Sequence, residues 1–324
     1  MIILSGRKVI GNTPMIEINY EYKGKKNKIY AKLEYYNLTG SVKDRVAYYI
    51  IKNAKEKGIL KNNMPLIEAT SGNTGISISA LGAYYRHPVY IFMPDWASQE
   101  RVLLMKSFGA NVILISESEG GFIECVKRAK KLADEKNGFL VNQFSNKDNF
   151  LAHYKTTGYE ILEQLNKDIG GFVSGVGTGG TLMGIGTRLQ EKNKNLKIVA
   201  IEPDKMPIIS KGIKISNHKI EGIGDDFVPD ILDKSKIDDV ILINDEDAIN
   251  MSRKLAKELG LGVGISSGAN FLGSVLLGQK IDKEVVTIFA DDNKKYLSTE
   301  LVKEINNDDK FISNQIKLIN YKEV

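Results

Sequence analysis

Lys43, in the stretch Asn37-Leu-Thr-Gly-Ser-Val-Lys-Asp-Arg45, is the residue whose chemistry the rest of the chain has to explain. A lysine ammonium at its ordinary pKa is a poor nucleophile, so a Schiff-base lysine must sit where desolvation or positive charge favours the neutral amine. Arg45 is a candidate source of that charge. Alone the motif says little, because a lysine after Gly-Ser in a chain with 45 Lys and Arg is ordinarily a solvated loop residue. Two further loops change its meaning. Glu68-Ala-Thr-Ser-Gly-Asn-Thr-Gly75 follows the strand-like Pro65-Leu-Ile67 and precedes an apolar-periodic run over 76–83. Its hydroxyls, amide and free backbone N–H groups at a helix N-terminus suit a carboxylate or phosphate, although the same residues can do no more than cap the helix. Ser174-Gly-Val-Gly-Thr-Gly-Gly-Thr181 again lies between a strand and a helix, expected over 182–192. Its glycines let the backbone close around an anion, and Thr178 and Thr181 add hydroxyl donors. A reactive amine beside an anion-binding loop points to pyridoxal phosphate.

A second interpretation competes. Gly175-Val-Gly-Thr-Gly-Gly180 fits the G-x-G-x-x-G fingerprint, and Glu202 ends the next strand, where a dinucleotide fold keeps its ribose-binding acid. That describes a NAD-linked oxidoreductase. Such a fold gives no role to Lys43, to Thr70-Ser-Gly-Asn-Thr-Gly75 or to Ser266-Ser-Gly-Ala269.

The elements that must position these loops alternate between short β-rich runs and helical ones, the pattern of a mostly parallel sheet flanked by helices. Val89-Tyr-Ile-Phe-Met93, Ala110-Asn-Val-Ile-Leu-Ile115, Gly171-Phe-Val-Ser174, Ile198-Val-Ala-Ile201 and Val285-Val-Thr-Ile-Phe289 read as buried strands, and 99–108 and 245–259 as amphipathic helices. The polar, Asn-rich stretch 142–148 places a domain junction near residue 150. The Lys/Asn/Ile-rich tail after Asn306 is expected to be a peripheral helix.

At 324 residues and 42% hydrophobic content the chain can bury a large core. Its net charge of +5 comes from interleaved charges, as in Lys127-Arg-Ala-Lys-Lys-Leu-Ala-Asp-Glu-Lys136, the solvated face of a helix. A basic stripe with aromatic platforms is lacking, which argues against nucleic acid. One cysteine, Cys125, excludes an internal disulfide framework, and three histidines give no spacing for a metal site. No apolar run spans a bilayer, and Met-Ile-Ile-Leu-Ser-Gly-Arg-Lys8 does not read as a secretory signal, so a cytoplasmic enzyme is expected.

Over nearly its whole length the chain resembles the fold type II pyridoxal-phosphate enzymes that include cysteine synthase and cystathionine beta-synthase. The resemblance runs through Ile10-Gly-Asn-Thr-Pro14, Lys32-Leu-Glu-Tyr-Tyr-Asn37, Gly40-Ser-Val-Lys-Asp-Arg45, Thr70-Ser-Gly-Asn-Thr-Gly75, and Gln143-Phe-Ser-Asn146 with His153-Tyr154 and Thr156-Thr157. It continues in Gly175-Val-Gly-Thr-Gly-Gly-Thr181, Glu221-Gly-Ile-Gly-Asp-Asp-Phe227, Ile265-Ser-Ser-Gly-Ala269 and Lys295-Tyr-Leu-Ser-Thr299. It implies a two-domain α/β fold, like the tryptophan synthase beta subunit, with the active site in the cleft and a homodimeric assembly. Residues 1–149 would form the N-terminal domain, its earliest residues able to cross over, and 150–324 the C-terminal one. Glu34-Tyr-Tyr-Asn37 and Leu151-Ala-His-Tyr154 look more like the core of cystathionine beta-synthase, without the animal enzyme's haem-binding extension and regulatory domains. Leu38, where the family prefers Pro or Ala, and Trp96, where it usually has a smaller residue, are departures that bear on the substrate.

By this resemblance Lys43 is the Schiff-base lysine and later the general base at Cα. Asn73 would meet the cofactor's ring oxygen, and Thr70, Ser71, Thr74 and Gln143 the substrate carboxylate. Gly177, Thr178, Gly179, Gly180 and Thr181 would wrap the phosphate, and Ser266 would face the pyridine nitrogen. A neutral hydroxyl there makes a weaker electron sink than a carboxylate, which favours elimination and addition at Cβ, through an aminoacrylate, over transamination. What adds next depends on Gly222-Ile-Gly-Asp-Asp-Phe227. Cysteine synthases carry small residues after the second glycine and cystathionine beta-synthases an aromatic residue then Asp, so Asp225 is the unusual residue. Neighbours in an extended loop face opposite ways, so at most one of Asp225 and Asp226 looks into the cleft. A carboxylate there repels ionised sulfide but activates water. With Asp225 inward the expectation is a cysteine hydroxyl-lyase, L-cysteine plus water giving L-serine and hydrogen sulfide. With Asp225 capping a turn or pairing with a rim lysine, O-acetylserine plus sulfide, or a second thiol forming lanthionine or cystathionine, stay open.

Overall fold

The computed structural model describes residues 3–4, 7–303 and 308–324. Part of the stretch read for a signal, Met1–Lys8, and the start of the tail at Asn306 lie outside the described residues. Two sheets organise the chain. The larger runs Asp239–Ile243, Lys197–Pro203, Gly171–Gly175, Val285–Phe289, Lys25–Leu33, Met15–Tyr22 and Ile316–Glu323, side by side in that order. Its first five strands are parallel and its last two antiparallel. The smaller is parallel throughout, in the order Asn111–Ile115, Val89–Pro94, Leu66–Ala69 and Phe139–Leu140.

Each sheet is covered on both faces, which is why its central strands read as continuous apolar runs rather than alternating ones. Val285–Phe289 is buried at every position. On one side of the larger sheet, Phe271, Leu272 and Val275 of the Ile265–Ile281 helix pack with Ile18 and Tyr20; on the other, Leu182, Ile185 and Leu189 of the Gly180–Lys192 helix pack with Met15 and Tyr30. The smaller sheet is covered by the Lys43–Glu56 and Asn73–Tyr85 helices and, opposite, by Gly121–Lys136, whose Cys125, Ala129 and Ala133 recur at helical spacing on its buried face. Among the described residues no helix is long and apolar enough to cross a membrane, and no group of three or more His, Cys, Asp or Glu could hold a metal ion.

Two elements depart from the expected pattern. Met15–Tyr22 and Lys25–Leu33 form a hairpin through Lys23 and Gly24, both at positive φ (51° and 74°), as the two-residue turn of a right-twisted hairpin requires. This hairpin joins the larger sheet, beside strands drawn from after residue 170. The tail is not a peripheral helix. Among its described residues only Ile312–Gln315 is helical, and Ile316–Glu323 is an edge strand antiparallel to Met15–Tyr22. Ile316 and Leu318 are buried while Lys317 is exposed, a period of two that the Lys- and Asn-rich composition hides.

Candidate active site

Lys43 opens the Lys43–Glu56 helix, after a turn whose Gly40 carbonyl accepts from the buried Lys295 ammonium at 2.7 Å. The Val42 N–H donates to the Ala290 carbonyl at 2.8 Å, so the end of the Val285–Phe289 strand fixes where Lys43 emerges. Burial lowers the pKa of the Lys43 amine, opposed by the carboxylates of Asp225 and Asp291. A lowered pKa is what a nucleophilic or proton-abstracting lysine needs.

Arg45 does not contribute to that shift, contrary to expectation. Its Nε and Nη2 donate to the Glu34 carboxylate at 2.6 and 2.9 Å, and Nη1 and Nη2 each donate to Glu160 at 2.7 Å. Against the cost of burial, Arg45 and Lys32 hold Glu160 down to about 2. The guanidinium's charge is thus neutralised by two carboxylates, and its work is to lock the first turn of the Lys43 helix onto the segment that carries Glu160.

Thr70 and Thr74 are buried, Ser71 is exposed, and the Asn73–Tyr85 helix begins inside the loop as the anion-binding expectation requires. The Thr74 hydroxyl donates to Gln143 Oε1 at 2.6 Å, bringing together two residues far apart in sequence. Asn149, which sequence reasoning missed, joins them to the second loop: its amide donates to the Gln143 carbonyl and to Thr178 Oγ1, both at 2.8 Å. Asn149 lies just beyond the polar stretch taken only as a junction, so no local signal marked it.

In the second loop Gly179, at φ +82°, turns the chain into the Gly180–Lys192 helix. A Cβ on Gly177 would stand 2.5 Å from the Gly222 carbonyl, and one on Gly180 would stand 2.0 Å from Asn149 Oδ1. The backbone is therefore bare around a helix N-terminus, with Thr178 and Thr181 alongside, which fits a phosphate. Thr181 Oγ1 lies 3.3 Å from His153 Nε2, and burial, then the charges of Lys43 and Arg45, keep His153 neutral by pushing its pKa well down. The hydroxyl of Ser266, buried in the first turn of Ile265–Ile281, has no hydrogen-bond partner among the described residues, and Asn73 Oδ1 is buried without a partner. An orphaned buried polar atom on Asn73, an unpartnered serine hydroxyl and a glycine-bare helix start beside Thr178 and Thr181 are residues that fit pyridoxal phosphate. The ribose-binding role imagined for Glu202 fails, because its two oxygens accept from the Ile209 and Ser210 N–H groups and the Ser210 hydroxyl.

Asp225 is partly buried and close enough to Lys43 for the two charges to act on each other. Burial pushes its carboxyl up to about 6, against the pull of the Lys43 ammonium and with a small push from Asp226. Asp226 is exposed, 3.9 Å from Lys214. His218 accounts for part of this geometry, since its Nε2 lies 2.8 Å from the carbonyl of Gly224, the residue before Asp225. Asp291 is a second acid that the motifs did not mark. Fully buried, it accepts from Asn73 Nδ2 and from the Tyr296 hydroxyl, each at 2.7 Å. Leu38 and Trp96, the two departures from the family pattern, are 43% and 59% exposed.

Residues 7–291 match the family model described as pyridoxal-phosphate dependent enzyme. The chain is 41% identical over 295 residues to cysteine synthase B of Campylobacter jejuni, covering 91% of this chain and 97% of that protein. It is also similar to the crystal structure of a hydrogen sulfide-producing enzyme from Fusobacterium nucleatum, with 50% identity, a TM-score of 0.93 and coverage of 98% of this chain and 97% of that one. An aspartate-to-asparagine variant of that enzyme, solved with an α-aminoacrylate intermediate, superposes with a TM-score of 0.94 at the same identity and coverage. With a buried lysine of lowered pKa, a glycine-bare helix start and relatives that share nearly its whole length, the chain belongs to the pyridoxal-phosphate dependent enzymes, among those that carry out β-elimination and β-replacement in cysteine metabolism.

Proposed function

We propose that the protein is a cysteine hydroxyl-lyase: the Cβ–S bond of L-cysteine breaks, water adds at Cβ, and L-serine and hydrogen sulfide leave. The observation that carries this is the Asp225 carboxyl, raised to about 6 by burial and within reach of the Lys43 charge. Pyridoxal phosphate, when bound, supplies the electron sink that makes the Cα proton acidic and lets the sulfur depart. The chain supplies everything else. Gly177, Thr178, Gly179, Gly180 and Thr181 would hold the phosphate at a helix N-terminus, Asn73 the ring oxygen and Ser266 the ring nitrogen.

Thr70, Ser71, Thr74 and Gln143 hold the amino acid's carboxylate, with free N–H groups of the Asn73–Tyr85 helix behind them. Lys43 Nζ, its pKa lowered by burial, takes the Cα proton. With the sulfur gone, Asp225 takes a proton from a water near Cβ as that oxygen bonds to carbon, and Lys43 returns its proton to Cα, which completes serine. Near neutral pH a carboxyl with a pKa of about 6 is mostly ionised, yet basic enough to take that proton. The same charge repels hydrosulfide by about 1 kcal/mol or more at a few ångströms, which disfavours the reverse use of the site.

The Fusobacterium relative supports this assignment, since it produces hydrogen sulfide and its aspartate-to-asparagine variant was solved in complex with an α-aminoacrylate intermediate. The similarity to the Campylobacter protein favours a second assignment, O-acetylserine plus sulfide giving cysteine. Supplying L-cysteine alone and weighing the products separates them. Serine and sulfide from the wild type, with a large loss in Asp225→Asn, support hydration; no turnover of cysteine, with brisk cysteine synthesis from O-acetylserine and sulfide, sinks it.

A further inference from the structure

Arg101 has no part in the chemistry described so far, yet its side chain is 3% exposed. It lies on the Gln99–Ser107 helix, whose start is tied to the 295–298 segment by Ser98 Oγ donating to the Lys295 carbonyl at 2.9 Å and by Glu100 accepting from the Ser298 N–H at 2.6 Å. Three contacts radiate from the guanidinium. It forms an ion pair with Glu221, four positions before Asp225. It stacks on Tyr296, 4.6 Å from the ring centre, and the Tyr296 hydroxyl continues through Asp291 to Asn73. It lies under the carboxylate-binding loop at Gly72, where a Cβ would stand 3.1 Å from Arg101 Nε. That Nε is buried without a hydrogen-bond partner, so the side chain is placed by its contacts rather than by full satisfaction of its donors.

We propose that Arg101 is a positioning residue that ties the loop carrying Asp225 to the loop that binds the substrate carboxylate, and so sets where Asp225 stands relative to Cβ. The proposal rests on Asp225 being the base for water. A guanidinium suits the task because one rigid plane can pair with Glu221 and stack on Tyr296 at once, which a lysine cannot do. An Asp225 loop released from Arg101 would shift by a fraction of its own width, enough to spoil a proton transfer while leaving the earlier loss of sulfide intact.

The test uses the holoenzyme with L-cysteine in a single turnover, following sulfide release and serine formation separately, together with amide hydrogen exchange over 221–227. Arg101→Gln, Arg101→Lys and the less disruptive Glu221→Gln are compared with Asp225→Asn. The expected result is unchanged sulfide release, serine formation slowed about a hundredfold in the Arg101 and Glu221 variants, and faster exchange confined to 221–227. Removing both partners should be no worse than removing one. Equal losses of sulfide and serine, or normal serine formation and unchanged exchange in Glu221→Gln, would overturn the proposal. If Asp225→Asn itself forms serine normally, the base assignment fails, whereas a stalled Asp225→Asn beside normal Arg101 and Glu221 variants defeats only the tether.

Discussion

Replacing Asp225 by Asn removes the charge and keeps the shape, so it separates the base from its surroundings. The carboxyl's pKa of about 6 stands against an ordinary 3.8. About nine-tenths of it is ionised at pH 7 and about one-eleventh at pH 5, so serine formation should fall about tenfold between them with a midpoint near pH 6. An unperturbed aspartate would leave that range almost flat. In Asp225→Asn the acidic limb should vanish and the rate at pH 7 drop by about a hundredfold or more. Stability should move the other way. A carboxyl raised in the folded state holds a proton that the unfolded chain has already lost, so the charge weakens the fold progressively as pH rises from about 4 to 6 and fully above. The rise from 3.8 to about 6 amounts to about 3 kcal/mol as an upper bound. Asp225→Asn should therefore melt higher than the wild type at pH 7 and alike at pH 4. The assay is serine quantified by mass from pH 5 to 8, beside thermal unfolding at both ends. A flat wild-type profile through pH 6, or an Asn variant that forms serine at the wild-type rate, would refute the assignment.

Lys43→Ala should yield a colourless protein with no borohydride-reducible absorbance and no turnover of any amino acid, read from its visible spectrum. Gly180→Ala would drive a methyl to 2.0 Å from Asn149 Oδ1, so it should destabilise the fold by about 1–3 kcal/mol and weaken cofactor retention, measured by dialysis and absorbance. Arg45→Lys loses the fork that meets Glu34 and Glu160 together and should cost about 3 kcal/mol in urea unfolding. Where Arg45→Lys folds, the cofactor's colour and its pH dependence should be those of the wild type, because Arg45 is not among the groups that shift Lys43.

Much of the scaffold was legible because its signals are local. A strand covered on both faces must be apolar throughout, and Val285–Phe289 and Gly171–Gly175 are found where continuous apolar runs announced them. The tail misled for the opposite reason: Ile316 and Leu318 face the core through only two positions, too short a period to stand out among lysines and asparagines. Arg45 misled because charge was counted without its partners. A guanidinium near Lys43 looks like an electropositive neighbour until Glu34 and Glu160, from other elements, are seen to neutralise it.

The amino-acid sequence by itself determined the Lys43 motif, the glycine and hydroxyl loops at 70–75 and 174–181, and the pair of aspartates at 225 and 226, since backbone freedom, hydroxyl donors and helix starts are written within a few consecutive residues. Tertiary structure alone decided that Asp225 is partly buried within reach of the Lys43 charge while Asp226 is exposed, that Asn149 clasps both loops, and that Asn73 reaches an acid 218 residues away. Those relations depend on burial and on partners brought close by folding. A carboxylate's direction and pKa are properties of its surroundings, and no spacing along the chain encodes them.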